Sequence, residues 1–293
     1  MAGLKEVRIR IASVTSTQQI TSAMKMVAAS KLRKAQNNIL ALRPYASKLK
    51  GIIQNLSSNG SMPDSVYTRE EAADKVLLIV ITSNRGMCGA FNSSVNKATL
   101  EHIQNNFSDQ YQRGNLHLVT IGKKGTDFFS RRNFKVEASF NDIFDKLDYQ
   151  NVSEIANQVM GWFKDKTYNR VDIVYNQFKN AATQVLAIEQ MLPVVPEKVE
   201  ARKTEFRNDY IFEPAEEELL TSVIPQSLRI QLYKALLDSY ASEFGARMTA
   251  MHKATENAGE LLKDLRIRYN NARQAAITKE LIEIVSGAEV LKK

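Results

Sequence analysis

The sequence predicts an α/β fold class, with a Rossmann-like central domain built on a mostly parallel sheet and a long antiparallel coiled coil formed by the N- and C-terminal helices. Two observations support this prediction. Apolar residues recur at three- and four-residue spacing over both ends of the chain, and strand-like segments alternate with helix-like segments between them. The implied boundaries are 1–57 for the N-terminal coiled-coil helix, 75–192 for the Rossmann-like domain and 215–293 for the C-terminal coiled-coil helix.

The N-terminal helix is indicated by an apolar stripe that begins at Leu4. Thirteen of its sixteen seam positions are apolar, which is typical of a coiled coil. The three exceptions fall together, at Gln18, Thr21 and Lys25. The apolar residues there move by one position, which indicates a local drift of the stripe, to Ile20, Met24 and Val27. Pro44 also lies inside the stripe and predicts a kink or a local break in the helix.

The central domain is indicated by short strands that alternate with helices. Apolar, β-branched runs predict strands over 75–82, 116–121, 134–140, 171–178 and 184–191. Helical patterns fall between several of them, at about 91–106, 123–132 and 151–166. Such alternation favours a mostly parallel sheet that is covered by helices on both faces.

The C-terminal helix is predicted from a second apolar stripe. Pro225 suits the first turn of a helix, and the stripe then continues, after one shift past Ala272, as far as Leu291. The acidic run at 216–218 is interpreted as a solvated helix start that suits the helix dipole. We predict a single helix of about 65 residues, near 100 Å if straight. Antiparallel pairing with the N-terminal helix is the simplest way to bury both stripes.

The charge of the chain is concentrated in its first segment. The formal net charge is +8, yet residues 1–60 alone balance at +9 and the remaining residues at −1. A basic helix of this kind suits nucleic-acid binding, a solvated coiled-coil face or docking to acidic protein partners. Aromatic residues among the basic ones are limited to Tyr45, which disfavours single-strand nucleic-acid binding. No segment approaches the roughly 18 apolar residues of a membrane-spanning helix.

The stretch SNRGMCGAFN at 83–92 poses the question of a nucleotide site. A glycine-bearing loop after a strand is where α/β folds bind phosphate, but both glycine-rich fingerprints of nucleotide-binding loops are missing. The GKKGT stretch at 122–126 is an equally weak signal. We therefore predict turns rather than ligand sites, and no catalytic residue, metal ligand or cofactor. The single cysteine, Cys88, is interpreted as a small core residue.

Three stretches carry a resemblance to a known family. ITSAMKMVAASKLRKAQN at 20–37, SNRGMCGAFN at 83–92 and RYNNARQAAITKELIEIVSGAEVL at 268–291 closely resemble the gamma subunit of F-type ATP synthases. The resemblance covers the whole chain in order. It implies an antiparallel coiled-coil shaft inside a ring of three alpha and three beta subunits, with the Rossmann-like domain as a foot on the membrane c-ring.

The function implied by the resemblance is that of a rotor subunit without catalytic residues or cofactor. It would couple proton-driven rotation of the c-ring to conformational cycling of the catalytic beta subunits during ATP synthesis. The start of the sequence matches the family's first helix, which favours a bacterial protein peripheral to the cytoplasmic face of the inner (plasma) membrane. No cysteine-pair insertion is present, so thiol control of rotation is not expected. The alternative is a nucleotide- or nucleic-acid-binding α/β protein with a coiled-coil dimerisation arm.

The resemblance also assigns roles to individual positions. Residues of both terminal helices match positions that contact the catalytic beta subunits, namely Met24, Lys25, Arg247, Arg273, Gln274, Thr278 and Glu280. The YIFEP segment at 210–214 matches a part of the foot that faces the epsilon subunit and the c-ring. Its expected contact residues are Tyr210, Phe212 and Glu213.

Overall fold

The structure is a computed structural model that describes residues 4–58, 66–69, 71–194 and 216–290. In chain order its elements are α1 Leu4–Ser58, β1 Val76–Ile81, α2 Phe91–Asn106, α3 Ser108–Gln112, β2 Leu116–Ile121, α4 Lys123–Ser130, β3 Val136–Ser139, α5 Tyr149–Lys164, β4 Arg170–Phe178, β5 Gln184–Leu192 and α6 Glu216–Val290. Two compact units are described separately below. The helical unit comprises residues up to Ala29 and from Arg247 onward, and the α/β unit comprises Ser30–Ala246.

The α/β unit is built on one five-stranded sheet with the order β3-β2-β1-β4-β5. The first four strands are parallel to their neighbours, and only β5 runs antiparallel, beside β4. The predicted mostly parallel sheet is therefore confirmed. Its last strand differs because only residues 179–183 join β4 to β5, which is long enough for antiparallel pairing, whereas parallel neighbours need longer crossover connections.

Apolar layers cover both faces of this sheet. The central strand β1 is buried at all six positions, as expected for a continuous apolar run inside a parallel sheet. One face packs against α5 and the first part of α6, through side chains that include Val152, Val159 and Leu228. The other face packs against α2 and α4, through side chains that include Val95 and Phe129. Each crossover helix thereby buries its apolar stripe against the strands that it connects.

Within the α/β unit, α1 and α6 lie side by side and run antiparallel. The side chain of Gln226, early in α6, donates a hydrogen bond to the hydroxyl of Tyr45, late in α1. Further along α6 and further back along α1, Lys31 Nζ lies 5.2 Å from the ring centroid of Phe244. Residue numbers rise on one helix as they fall on the other. The predicted antiparallel pairing is confirmed here.

Within the helical unit the same two helices are again antiparallel. Thr255 Oγ1 donates to Thr21 Oγ1 at 2.9 Å, and Arg8 Nη2 donates to the hydroxyl of Tyr269 at 2.9 Å. Met251 and Leu262 are among the α6 side chains buried in this unit. Amphipathic stripes on two helices are thus buried against each other, as a coiled coil requires.

Pro44 and Pro225 both lie inside helices. α1 continues through Pro44, so of the predicted kink or local break the break is wrong. α6 begins at Glu216, next to the predicted boundary at 215, and Pro225 lies in its third turn rather than its first. The acidic run at 216–218 indicates the first turn of α6 better than Pro225 does, because negative charge in the first turn favours helix formation. Packing of the helices against each other and the sheet outweighs the cost of a proline within a helix.

Of the three residues in the predicted drift of the α1 stripe, Met24 is half-buried, and the prediction is wrong for the other two. Ile20 and Val27, which the drift would have buried, are 60% and 57% exposed. Thr21 remains half-buried at the seam, as do Gln18 and Lys25. A hydroxyl contact joins Thr21 to Thr255 across the helix interface, so this polar position takes part in the pairing of the helices.

Candidate functional site

The glycine-bearing loop after β1 is closed by its own side chains. The backbone N–H of Ser83 donates to Asn92 Oδ1 at 2.9 Å, and the Ser83 hydroxyl donates to the carbonyl of Arg85 at 2.7 Å. Asn92 Nδ2 also lies 3.3 Å from Cys88 Sγ. Positive φ angles at Met87 and Gly89 complete the tight geometry. This arrangement supports the interpretation of the stretch as a turn.

The loop after β2 is locked to the loop after β1. The backbone N–H of Gly125 donates to Thr82 Oγ1 at 2.8 Å, and that of Lys123 donates to Asn84 Oδ1 at 2.9 Å. Gly122 has a φ of 106°, and a Cβ placed there would lie 2.2 Å from the carbonyl oxygen of Thr82. Glycine is required at this point because two backbone segments approach each other too closely for any side chain.

Two histidine–carboxylate pairs join elements of the α/β unit. His102 Nε2 on α2 lies 2.8 Å from Oδ2 of the buried Asp172 on β4, whose Oδ1 accepts from Arg170 at 3.1 Å. His117 Nδ1 on β2 lies 3.2 Å from Glu137 Oε2 on β3, and burial lowers the pKa of His117. Each pair links neighbouring secondary-structure elements, so we interpret both as structural contacts. In the described parts of the chain, no group of three metal-ligating side chains is present.

The residues assigned to beta-subunit contact differ in exposure. Most of those on α6 are exposed, namely Arg273, Gln274, Thr278 and Glu280. Met24 and Lys25 on α1 are half-buried. Arg247 is only 7% exposed, so a contact with a second protein would use a small part of its surface. The positions assigned to epsilon and c-ring contact, Tyr210, Phe212 and Glu213, lie outside the described residues.

Large apolar side chains are exposed on both helices of the helical unit. At the end of α6 they are 49% to 67% exposed, namely Ile277, Leu281, Ile282, Ile284 and Val285, and earlier on α6 they include Leu261 and Ile267. On α1 the exposed apolar residues of this unit include Ile9, Ile20, Met26 and Val27. Periodicity had marked only part of the α6 set, because Ile282 and Val285 lie off its stripe. Clustered apolar exposure of this kind is typical of surfaces that bind other proteins.

Asp238 of α6 is a titratable group that no sequence motif marks. Its side chain is 4% exposed, and burial raises its pKa to about 6, an effect that Lys234 and Arg43 oppose and Glu189 reinforces. Glu189 on β5 accepts a hydrogen bond from the Tyr175 hydroxyl at 2.6 Å and lies 3.7 Å from Lys234 Nζ. The α/β unit therefore holds one buried carboxyl group beside charged groups of both signs that are themselves partly exposed.

Replacing Asp238 by asparagine is expected to stabilise the protein at neutral and alkaline pH. The raised pKa means that the folded state holds the proton more tightly than the unfolded state, so this contribution to stability is lost as pH rises from about 4 to about 6. Above that range the buried charge costs on the order of 2–3 kcal/mol. Asp238→Asn should raise the free energy of unfolding by up to that amount and flatten its pH dependence.

Urea unfolding between pH 4 and pH 8, followed by circular dichroism, measures both effects of this substitution. Asp264 is exposed on the same helix, and Asp264→Asn provides the matched control, with an expected change within about 0.5 kcal/mol. A pH profile for Asp238→Asn identical to that of the original protein would contradict the assignment of a raised pKa.

Fold and surfaces together define a class of protein: an α/β domain joined to an antiparallel helix pair that offers exposed apolar side chains to partners. No described helix has both the length and the apolar character needed to cross a membrane. A family model described as ATP synthase matches residues 3–291. The ATP synthase gamma chain of Flavobacterium johnsoniae is 53% identical, with 99% of each chain covered, and that of Geotalea daltonii is 44% identical, with 100% of each chain covered.

The fold is also similar to chains in solved structures. A chain of the central stalk and c-ring structure of Tetrahymena thermophila mitochondrial ATP synthase is 28% identical, with 80% of this chain and 99% of that chain covered and a TM-score of 0.60. A chain of the Euglena gracilis mitochondrial ATP synthase has a TM-score of 0.71 at 22% identity, with 98% and 94% covered.

The chain belongs to the ATP synthase gamma-chain family. The resemblance inferred from the three sequence stretches is confirmed, and the alternative of a nucleotide- or nucleic-acid-binding protein is not favoured. The chain is thus a non-catalytic subunit of a membrane-associated complex.

Proposed function

We propose that this chain is the central-stalk rotor subunit of a bacterial F-type ATP synthase. It couples proton-driven rotation of the membrane c-ring to conformational cycling of the catalytic beta subunits. The helices over 1–57 and 215–293 form the shaft, and the Rossmann-like domain over 75–192 forms the foot. The observation that carries this proposal is the antiparallel pairing of two long helices whose exposed apolar side chains call for a surrounding partner.

The mechanism follows from asymmetry. Similar catalytic sites arranged around one shaft cannot all receive the same contacts. Each orientation of the shaft therefore stabilises a different set of open and closed site conformations, and rotation shifts those populations in order. The chain needs no catalytic residue for this task, because its contribution is the difference in contact free energy between orientations.

The partners are three alpha and three beta subunits around the shaft, and the epsilon subunit and the c-ring at the foot. We assign the beta-subunit contacts to residues of both helices, namely Met24, Lys25, Arg247, Arg273, Gln274, Thr278 and Glu280. We assign the epsilon and c-ring contacts to Tyr210, Phe212 and Glu213. The excess positive charge of residues 1–60 supports docking to acidic partner surfaces, because charge complementarity accelerates and orients association.

The location that fits this role is the cytoplasmic face of the bacterial inner (plasma) membrane. Attachment there is peripheral and goes through the complex. Gamma chains of bacteria such as Flavobacterium johnsoniae and Geotalea daltonii are among the relatives, which supports a bacterial setting.

Native mass spectrometry of the chain co-expressed with alpha, beta and epsilon subunits, paired with an ATPase assay, tests the proposal. We expect an assembly with three alpha subunits, three beta subunits and one copy of this chain, and ATPase activity that the isolated chain lacks. Failure to assemble under conditions that suit the partners would count against the proposal. A free homodimer that binds ATP or DNA would support the alternative function instead.

Substitution of Arg273 or Gln274 by alanine is expected to slow ATP turnover of the assembled complex. Both side chains are exposed, so the free energy of unfolding of the isolated chain should change by no more than roughly 0.5 kcal/mol. Steady-state ATPase assays and urea unfolding provide the two measurements. Arg266→Ala removes an exposed arginine from the same helix outside the assigned contacts and should leave turnover unchanged. Equal slowing by Arg266→Ala would contradict the assignment.

A further inference from the structure

A short polar layer interrupts the apolar seam of the helical unit. It consists of Gln18 and Thr21 on α1 and Thr255 and Gly259 on α6, and we call these four residues the polar layer. Past this layer and the half-buried Lys25, the seam is apolar and buried, with Ala28 and Met251 towards one end and Leu262 and Leu265 towards the other. A seam made only of apolar residues would bury more apolar surface. The layer therefore has a role other than maximal burial.

Directional hydrogen bonds connect the two helices at this layer. Thr255 Oγ1 donates to Thr21 Oγ1 at 2.9 Å, and Thr21 Oγ1 donates to the carbonyl oxygen of Gln18 at 3.0 Å. The Thr255 hydroxyl also lies 2.8 Å from the carbonyl oxygen of Met251 on its own helix. Each hydroxyl has one proton, so when Thr255 donates to Thr21 the bonds run from α6 through Thr21 to the Gln18 carbonyl oxygen of α1. Such bonds weaken steeply with changes of distance and angle.

Gly259 provides space for the other α1 side chain of the layer. A Cβ at position 259 would lie 3.1 Å from Gln18 Nε2, which is closer than nearly all Cβ contacts. Glycine within a helix lowers helix stability relative to alanine, because its backbone loses more freedom on folding. Its presence at this position allows the Gln18 amide to approach the α6 backbone. The layer therefore combines hydrogen bonds with a close steric fit.

Apolar residues adjacent to the layer are left outside the seam. Ile20 is 60% exposed and lies about 100° around α1 from Thr21. Apolar packing is non-directional and tolerates small rotations and axial shifts of one helix against the other. The hydroxyl pair would be broken by them. A polar layer within an apolar seam is a known means of specifying one alignment of two helices at a cost in stability.

We propose that the polar layer is a positioning element that fixes the rotational and axial alignment of α1 against α6. This inference rests on the proposed function, because the alignment matters when both helices present contact residues to the same partners. Met24 and Lys25 on α1 follow the layer directly, and Arg273 and Gln274 lie further along α6. With the layer intact, the contact residues on α1 keep one fixed position relative to those on α6. Without it, the seam admits several alignments and the shaft transmits rotation less faithfully.

The test replaces Thr21 and Thr255 by valine, singly and together, in the assembled membrane complex. Valine has nearly the shape of threonine, and replacing both partners of this partly buried hydrogen bond by apolar groups should be close to neutral for stability. We expect the double variant to keep or raise the thermal unfolding midpoint of the chain. We expect protons pumped per ATP hydrolysed to fall by about threefold or more. The paired serine variants keep both hydroxyls and should restore coupling.

Thr17→Val is the matched control for these variants. Thr17 lies on the same helix, is exposed and bonds only its own backbone at the Ser13 carbonyl, so coupling should not change. Alignment is read directly from the distance between spin labels introduced at the exposed Arg10 and Lys263. The single native cysteine, Cys88, is buried and should not take up label. The valine pair should broaden the distance distribution, and the serine pair should keep it narrow.

Two results would overturn the inference. One is unchanged coupling and an unchanged label distance in the double valine variant. The other is a loss of coupling with a lowered unfolding midpoint and an unchanged label distance, because destabilisation alone would then explain it. In both cases the unsubstituted chain still couples, so the proposed function stands. Failure of the unsubstituted chain to assemble or couple would instead contradict the proposed function.

Discussion

Alanine at position 122 is expected to destabilise the α/β domain by roughly 3–5 kcal/mol, which combines the cost of strained backbone and of overpacking. Gly122 has a φ of 106°, a conformation that side chains rarely permit, and its Cβ would meet the carbonyl oxygen of Thr82 at 2.2 Å. Thr82 cannot move away easily, because its backbone N–H donates to the Ile121 carbonyl at 2.8 Å. The obstacle is backbone on both sides rather than a flexible side chain.

Urea unfolding of the isolated chain measures this effect, and Gly161→Ala is the control. Gly161 lies within α5, and a Cβ there would meet nothing within 4 Å. Alanine at 161 should therefore stabilise the domain by roughly 0.5–1 kcal/mol through helix propensity. The free energy of unfolding of a domain is only about 5–15 kcal/mol, so Gly122→Ala should remove a large fraction of it. Equal urea midpoints for Gly122→Ala and Gly161→Ala would contradict the steric argument.

Removal of residues 281–293 is expected to reduce coupling in the assembled complex several-fold while the α/β domain stays folded. The truncation removes exposed apolar side chains, namely Leu281, Ile282, Ile284 and Val285. None of them belongs to the two apolar clusters that hold the sheet. Their free energy of burial becomes available only when a partner surrounds them. ATP-driven proton pumping measures the loss of coupling, and circular dichroism of the isolated chain measures folding.

A full-length variant separates apolar contact from length in this experiment. Leu281 and Ile284 replaced together by serine keep the helix but remove much of its apolar surface. This variant should lose coupling to a similar degree as the truncation. An unfolded α/β domain in the truncated chain would reject the prediction, because it would make the missing segment part of the domain's own stability.

The sheet could be predicted from the sequence because its strands are nearly continuous apolar runs. The run at Val76–Ile81 is buried on both faces, and a strand of this kind is recognisable without knowledge of its neighbours. The predicted helix over 91–106 agrees with α2, since its periodic apolar residues face the strands. Long helices were likewise predictable, because a stripe sustained over many turns is a strong signal.

The features that escaped prediction depend on contacts between distant parts of the chain. The pairing of Thr21 with Thr255 joins residues 234 positions apart, and periodicity alone suggested that the seam avoids Thr21. Asp238 is buried because α6 is covered on several sides there, with its neighbours Leu237 and Ser239 also buried. A stripe pattern reports which side of a helix is apolar. It does not report how many sides other elements cover.

The candidate contact residues came from the resemblance rather than from residue chemistry. No pattern of charge or spacing singles out Gln274 or Thr278 from other exposed polar residues of α6. The exposed apolar residues at the end of α6 were more accessible to physical reasoning. A lone helix that keeps apolar residues in water would fray, so their exposure indicates a surrounding partner without any resemblance to a known family.

The central claim is that this chain is a shaft whose rotation is coupled to conformational cycling of the catalytic subunits. Observing rotation tests this claim most directly. The assembled complex would be immobilised through its beta subunits, with a bead attached to a cysteine introduced at the exposed Lys124 of the α/β domain. On addition of ATP we expect rotation in one direction, in steps that match the number of catalytic sites. ATP hydrolysis at full rate with the bead stationary would contradict the account.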